Sequence, residues 1–261
     1  MTELPPLTWL YVPADRPDRV PKAIASGAHA VIVDLEDAVV PAHKADARDG
    51  LGSLPLQGAA VPVFVRVNAL DTPGGGDDLA AVADLPVAGV ILPKAETLDL
   101  PEVPLHCLIE TPLGLELAFA IASNSHVRGL SIGEADLAAS LGATPAGLDW
   151  ARSRVVNAAR AAGLPRPPQS VYMQIDDLDG LAASCARGRE LGFLGRGAIH
   201  PSQLPVIVDA YRPTAADVER ARRVLGLDGT GVVDGQFVDP PIVAAAEQVV
   251  ALAERYGARD S

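Results

Sequence analysis

The sequence predicts a single (β/α)8 barrel followed by a C-terminal extension. Three observations carry this. Short apolar runs rich in β-branched residues alternate with amphipathic stretches, eight such runs can be counted, and 261 residues suit one barrel domain. In order, the strand candidates are Trp9 to Pro13, Ala30 to Leu35, Val61 to Val67, Gly89 to Pro93, Leu105 to Ile109, Gly129 to Gly133, Gln169 to Met173 and Gly197 to His200. Helical patterns follow most of them. The clearest are ETPLGLELAFAIAS, WARSRVVNAARAAG and LDGLAASCARGRELG, with Ala and Leu at i, i+3 and i+4 spacing. TPGGGDD, after the third strand, reads as a mobile loop.

Residues 1–203 are therefore the expected catalytic barrel. Residues 204–261 hold two helical patterns, ADVERARRVLG and PPIVAAAEQVVALAERYG, around a Gly-rich break. This tail reads as too short and polar for a core of its own, and is expected to pack on the barrel or on a neighbouring subunit.

Hydrophobic residues make up 49% of the chain but aromatics only 4%, so the core must be layered from Val, Leu, Ile and Ala. A net charge of −12 without any Lys/Arg run would repel a phosphate backbone, which argues against nucleic acid as a partner. Apolar stretches stop short of the roughly 20 residues of a membrane span, and MTELPP lacks a basic start, so a cytoplasmic protein without membrane partners is expected. Cys107 and Cys185 lie in apolar or helical patterns with no His at metal-ligand spacing and read as packing residues.

In a barrel the chemistry sits where strands end. Strand 1 ends in Asp15 and Arg16, strand 2 in Asp34, Glu36 and Asp37, strand 3 in Arg66 and Asn68, strand 4 in Lys94, strand 5 in Glu110, strand 6 in Glu134 and Asp136, and strand 8 in His200. Glu110 and Asp136 end adjacent strands, so they can share one hard cation. Magnesium suits two carboxylates, with water and substrate oxygens completing the octahedron. The plainer alternative is that each acid caps the helix after it.

Arg66 can offer a forked contact to a carboxylate or carbonyl oxygen, or pair with Glu36 or Asp37; an acidic neighbour such as Glu36 would orient it for catalysis. For Lys94 a salt bridge and a ligand contact weigh equally. Arg16 and Arg19, in PADRPDR, could meet a phosphorylated ligand. Asp239, followed by Pro at the start of an Ala-rich helix, reads as an N-cap.

Taken in order, WLYVPADRPDRVPKA, VIVDLEDAVVPAHKADAR, VFVRVNA, ILPKAE, IETPLGLELA, SIGEADLAASLG, GRGAIHPSQL and GQFVDPPIVAAAEQV span nearly the whole chain. Through them the sequence resembles the HpcH/HpaI aldolase and citrate lyase beta-subunit family, and within it the stand-alone citrate lyase beta-like and malyl- or citramalyl-CoA lyase branch. The resemblance implies a (β/α)8 barrel, Mg2+ and a coenzyme A thioester. It implies Glu110 and Asp136 as metal ligands, Arg66 on the oxygen of a 2-oxo acid, and Asp239 as a general acid/base supplied by a neighbouring subunit. Arg16, Arg19 and Lys44 become candidates for the coenzyme A phosphates, and a homotrimer or hexamer is implied.

The expected reaction is reversible cleavage of a 3-hydroxyacyl-CoA, such as citramalyl-, malyl- or citryl-CoA, to acetyl-CoA and a 2-oxo acid. Its rivals are a metal-dependent aldolase on a free hydroxy-keto acid, a malate synthase- or thioesterase-like activity, and a non-catalytic binder of CoA esters.

Overall fold

The structure, a computed structural model, describes residues 4–227 and 229–260. Its contacts divide into two compact units, one over Pro5–Ile207 and one that includes Val208–Ser261.

The larger unit is an α/β barrel-type fold. Its strands are β1 (Thr8–Pro13), β2 (Ala30–Asp34), β3 (Val63–Arg66), β4 (Gly89–Leu92), β5 (Leu105–Ile109), β6 (Val127–Ile132) and β7 (Arg196–Ala198). All pair in parallel, in the order β6-β5-β4-β3-β2-β1-β7, so the sheet curls with the last strand beside the first. Helices α1 (Val20–Ile24), α2 (Lys44–Gly50), α3 (Pro73–Val82), α4 (Pro112–Ala122), α5 (Glu134–Leu141), α6 (Asp149–Ala161) and α7 (Leu178–Glu190) fill the connections. The unit boundary falls within α8 (Leu204–Tyr211).

Two expectations change here. The stave expected at Gln169 to Met173 is no ladder strand. Gln169 makes one parallel bridge to Arg196, through Gln169 N–H to Gly195 O at 2.9 Å and Gly197 N–H to Gln169 O at 3.0 Å. The preceding LPRPP segment carries three prolines, and a proline has no N–H to give a ladder.

The TPGGGDD segment is the start of α3, not a mobile loop. Pro73 supplies a helical φ at the first turn. The fully buried Asp78 then fastens the helix, accepting from Asn68 N–H (2.8 Å), Asn68 Nδ2 (2.6 Å) and Arg48 Nε (2.7 Å). Gly75 is required there, because a Cβ would stand 2.4 Å from the Ala69 carbonyl oxygen.

Alternation along the strands sends every second side chain inward. Trp9, Ala30, Ile32 and Ile91 form the interior cluster, with Tyr11 and Phe64 against it. Trp9 stacks at 5.1 Å from Phe64 and 5.0 Å from His106. Both cysteines are buried, and burial pushes the Cys107 thiol up to about 12, which leaves it unreactive.

The second unit contains α9 (Ala215–Leu225), an antiparallel hairpin of β8 (Gly231–Val233) and β9 (Gln236–Val238), and α10 (Pro240–Tyr256). Contrary to expectation it has a small core: Ala221, Val224, Val233, Val238 and Ala246, with Leu227, Ile242 and Val243 packed against them. The i, i+3 apolar spacing of both helices, closed by the hairpin, makes this possible. Among the described residues no helix is long and apolar enough to cross a membrane.

Candidate active site at the barrel mouth

A cavity of about 340 Å³ opens at the C-terminal ends of the strands, lined by Tyr11, Asp34, Arg66, Glu110, Gly133 and Asp136 among others. Its lower wall is apolar, with Ile32, Ile91 and Leu108.

The register sets the first contact. Asp34 and Arg66 are partners across β2 and β3, so both side chains enter the barrel at one level. Arg66 donates Nε to Asp34 Oδ1 at 2.7 Å and Nη2 to Asp34 Oδ2 at 2.6 Å. Its Nη1 lies 2.8 Å from Glu36 Oε2 and 3.5 Å from Asp37 Oδ2. The Glu36 contact is an ion pair whose angle is too poor for a hydrogen bond. Burial by itself would favour losing the Arg66 proton, but the Asp34 hydrogen bonds and charge outweigh it and hold the guanidinium firmly cationic. The Tyr11 ring faces the guanidinium at 5.1 Å, and burial keeps its hydroxyl protonated.

Asp34 is the residue that sequence reasoning undervalued. Expected partners of Arg66 were Glu36 and Asp37, yet the forked pair is with Asp34, whose oxygens also accept from the N–H groups of Glu36 (2.9 Å) and Ala38 (3.2 Å). An acid ending one strand opposite an arginine ending the next was the available signal.

Glu110, at the end of β5, is buried, and Asp136, in the first turn of α5, is half exposed. Both approach the Lys94 ammonium, Glu110 Oε1 at 3.8 Å and Asp136 Oδ2 at 3.9 Å, while Glu36 Oε1 accepts from it at 2.8 Å. Lys94 has a positive φ of 47°, which turns its N–H onto Glu110 Oε1 at 2.9 Å. Burial, reinforced by the charge of Glu36, pushes the Glu110 carboxyl up to about 7 against the Lys94 amide and ammonium. Burial likewise raises Glu36, opposed by Arg66 and Lys94.

Gly133 completes the cradle, since a Cβ there would lie 2.2 Å from Glu110 Oε2. Among the described residues no group of three or more His, Cys, Asp and Glu could enclose a metal. What the mouth offers instead is a carboxylate pair around a cation-attracting point. That donor set fits a hard ion which keeps water and ligand oxygens in its remaining positions.

The other candidates lie elsewhere. Arg16 and Arg19 are exposed, Arg16 pairing with Asp18 at 3.1 Å. Lys44, expected among the phosphate contacts, donates to the carbonyls of Leu35 (3.0 Å) and Glu36 (2.9 Å) and to Asn68 Oδ1. All three ammonium protons are thus engaged in holding the chain that carries Glu36. His200 caps the turn after β7 through Ser202. In the second unit, Asp239 caps α10, Oδ1 accepting from Ile242 N–H at 3.3 Å.

The sequence model described as HpcH/HpaI aldolase/citrate lyase matches residues 7–101 and 99–201. A citrate lyase subunit beta-like protein of Mycobacterium tuberculosis is 38% identical over 93% of both chains. A (3S)-malyl-CoA thioesterase of Cereibacter sphaeroides is 34% identical over 95% of both. Among solved structures, the M. tuberculosis protein CitE in complex with magnesium, acetoacetate and coenzyme A superposes with a TM-score of 0.85 at 35% identity, covering 97% of this chain and all of that one.

Proposed function

Since the chain belongs to the HpcH/HpaI aldolase/citrate lyase family, we propose that it is a magnesium-dependent carbon-carbon lyase that reversibly cleaves a 3-hydroxyacyl-CoA to acetyl-CoA and a 2-oxo acid. One observation carries the reading: Glu110, after the end of β5, and Asp136, in the first turn of α5, converge on a single cationic point, with Arg66 on the wall of the same cavity. Similar structures hold magnesium with oxaloacetate or pyruvate, which supports the same ligand class here.

Glu110 and Asp136 would hold the ion. The chemistry it supplies when bound is Lewis-acid withdrawal of charge from the carboxylate and hydroxyl oxygens of the acid fragment. Arg66, locked by Asp34 and Glu36, presents a fixed positive group to the substrate hydroxyl oxygen, which becomes the carbonyl oxygen of the 2-oxo acid. In cleavage the hydroxyl gives its proton to solvent water, the bond between C2 and C3 breaks as the oxygen's electrons form the new carbonyl, and the electron pair of the broken bond becomes the enolate of acetyl-CoA. The enolate must be protonated on carbon, a task assigned to Asp239 of a neighbouring subunit in a trimer or hexamer. Two features support that role. Asp239 is half-buried, its Oδ1 held by a long cap bond, and the hairpin before it exposes the paired Val232 (65%) and Phe237 (62%), a surface suited to a subunit contact. Arg16, paired with Asp18 at the surface, and Arg19 are the exposed candidates for coenzyme A phosphates.

A thioesterase reading is the second, favoured by the malyl-CoA thioesterase relatives. The deciding experiment incubates the protein with Mg2+ and malyl-, citramalyl- or citryl-CoA and follows both released 2-oxo acid and free thiol. Release of 2-oxo acid without free thiol is expected; free thiol with an intact hydroxy acid would establish hydrolysis instead.

A further inference from the structure

We infer that Lys94 is a built-in counter-charge that weakens binding of the divalent cation by itself and strengthens binding of the anionic fragment once that cation is present. The inference rests on the cation site proposed at Glu110 and Asp136. Lys94 Nζ lies within 4 Å of three carboxylates, Glu36 at 2.8 Å, Glu110 at 3.8 Å and Asp136 at 3.9 Å. Its backbone is also set for this: a lysine at φ 47° is uncommon, and the turn aims the amide at Glu110 and the side chain across to Glu36.

The charges at the mouth make the consequence specific. Asp34, Glu36, Glu110 and Asp136 stand against Arg66 and Lys94, with Asp37 donated to by Arg66 at 3.5 Å on the exposed rim. The acids outnumber the two cations, so the mouth attracts a divalent ion, and Lys94 offsets one unit of that charge within 4 Å of both proposed ligands. Without Lys94 the empty mouth would be one charge more negative and attract the cation more strongly. The loaded mouth would also be one charge more negative and oppose the anion. A unit charge this close to both proposed ligands should change each affinity by about tenfold or more, even with solvent screening.

The test compares wild type with Lys94→Met and Lys94→Arg. Methionine makes the same backbone demand and keeps the amide donor to Glu110, so the exchange removes charge without relieving or adding strain. Mn2+ binding is measured by electron paramagnetic resonance, and oxaloacetate binding at saturating Mg2+ by calorimetry; neither depends on turnover. Lys94→Met should bind Mn2+ about tenfold more tightly and oxaloacetate about tenfold more weakly, with Lys94→Arg close to wild type in both. If the methionine variant weakens both ligands, or changes neither, Lys94 is only a structural tether and the inference fails. Glu110→Gln and Asp136→Asn separate the two levels. Unchanged Mn2+ binding in those variants would overturn the cation site and this inference with it, whereas weakened binding there without tightening in Lys94→Met overturns Lys94 alone.

Discussion

Asp34 and Arg66 face each other across two parallel strands and join through a forked pair at 2.7 and 2.6 Å, with 1% and 9% of their surfaces exposed. Each is a buried charge held chiefly by the other, with Glu36 as a second partner of Arg66 and the N–H groups of Glu36 and Ala38 on Asp34. The pair also fixes the guanidinium plane, so the group offered to substrate has one orientation before anything binds.

Breaking the pair from one side should therefore be costly. Asp34→Ala is expected to lose about 3 kcal/mol of stability in urea unfolding, because it removes both bonds of the fork and leaves the buried Arg66 only its Nη1 contacts with Glu36 and Asp37. Asp34→Leu combined with Arg66→Met should recover much of that stability while remaining inactive. A single variant as stable as wild type would show that the pair is not the buried lock described.

Gly133→Ala isolates the cradle of Glu110. The backbone at Gly133, φ −98°, admits alanine, but the new methyl group would overlap Glu110 Oε2. Stability should fall by about 1 to 3 kcal/mol, as for overpacking elsewhere, while Mn2+ affinity falls by more than about tenfold. Undiminished Mn2+ affinity would mean that Glu110 does not hold the ion.

How much of this was legible in the sequence depended on the range of the signal. Leu105–Ile109 appears with the bounds its apolar run predicts, and other strands shift by a few residues at their ends. Asp34, Arg66, Glu110 and Asp136 were legible as strand-end residues that line one cavity, whereas Arg16 and His200, read the same way, lie outside its lining. Asp34 was legible only as an acid ending the strand before that of Arg66; its choice over Glu36 and Asp37 follows from strand register between residues 32 apart in sequence. The glycine run in α3 misled for a similar reason: local freedom argued for a loop, while the distant Asn68 and Arg48 tie Asp78 into a helix. Gly133 and the positive φ of Lys94 owe their meaning to Glu110, which no spacing rule connects to either.

His106 predicts a pH dependence of stability. Burial lowers its pKa to about 4 from the ordinary 6.5, partly opposed by a bond to the Leu130 backbone. Between these values the unfolded chain binds the proton and the folded chain does not, so this histidine makes stability fall as pH drops below 6.5, levelling near 4. Glu110, raised to about 7, acts with the opposite sign, so the difference between wild type and His106→Leu is the useful quantity. From pH 7 to 5 that difference should move by about 2 kcal/mol in favour of the variant. A difference constant with pH would remove His106 as a buried neutral group.

The proposal for Asp239 makes the most demanding prediction, because it assigns one reaction to two chains. Asp239→Asn should lose cleavage and proton exchange on acetyl-CoA, by about 10² to 10⁴ in rate, yet still bind Mg2+ and oxaloacetate through Glu110, Asp136 and Arg66. Asparagine can still cap α10 through its side-chain oxygen, so folding should be little affected, and urea unfolding checks this. Arg66→Ala should be inactive for a different reason, the loss of the fixed cation in the barrel. Mixing these two inactive proteins under conditions that exchange subunits gives assemblies in which one chain's intact Arg66 meets another chain's intact Asp239. If the acid acts across an interface, part of the activity returns, and more returns as exchange proceeds. If Asp239 serves its own barrel, every site in the mixture lacks one group and activity stays absent, although subunit exchange can be verified independently by mass-tagged chains. Recovery without detectable oligomers would be equally damaging, since the shared site requires a closed assembly in which each subunit gives and receives.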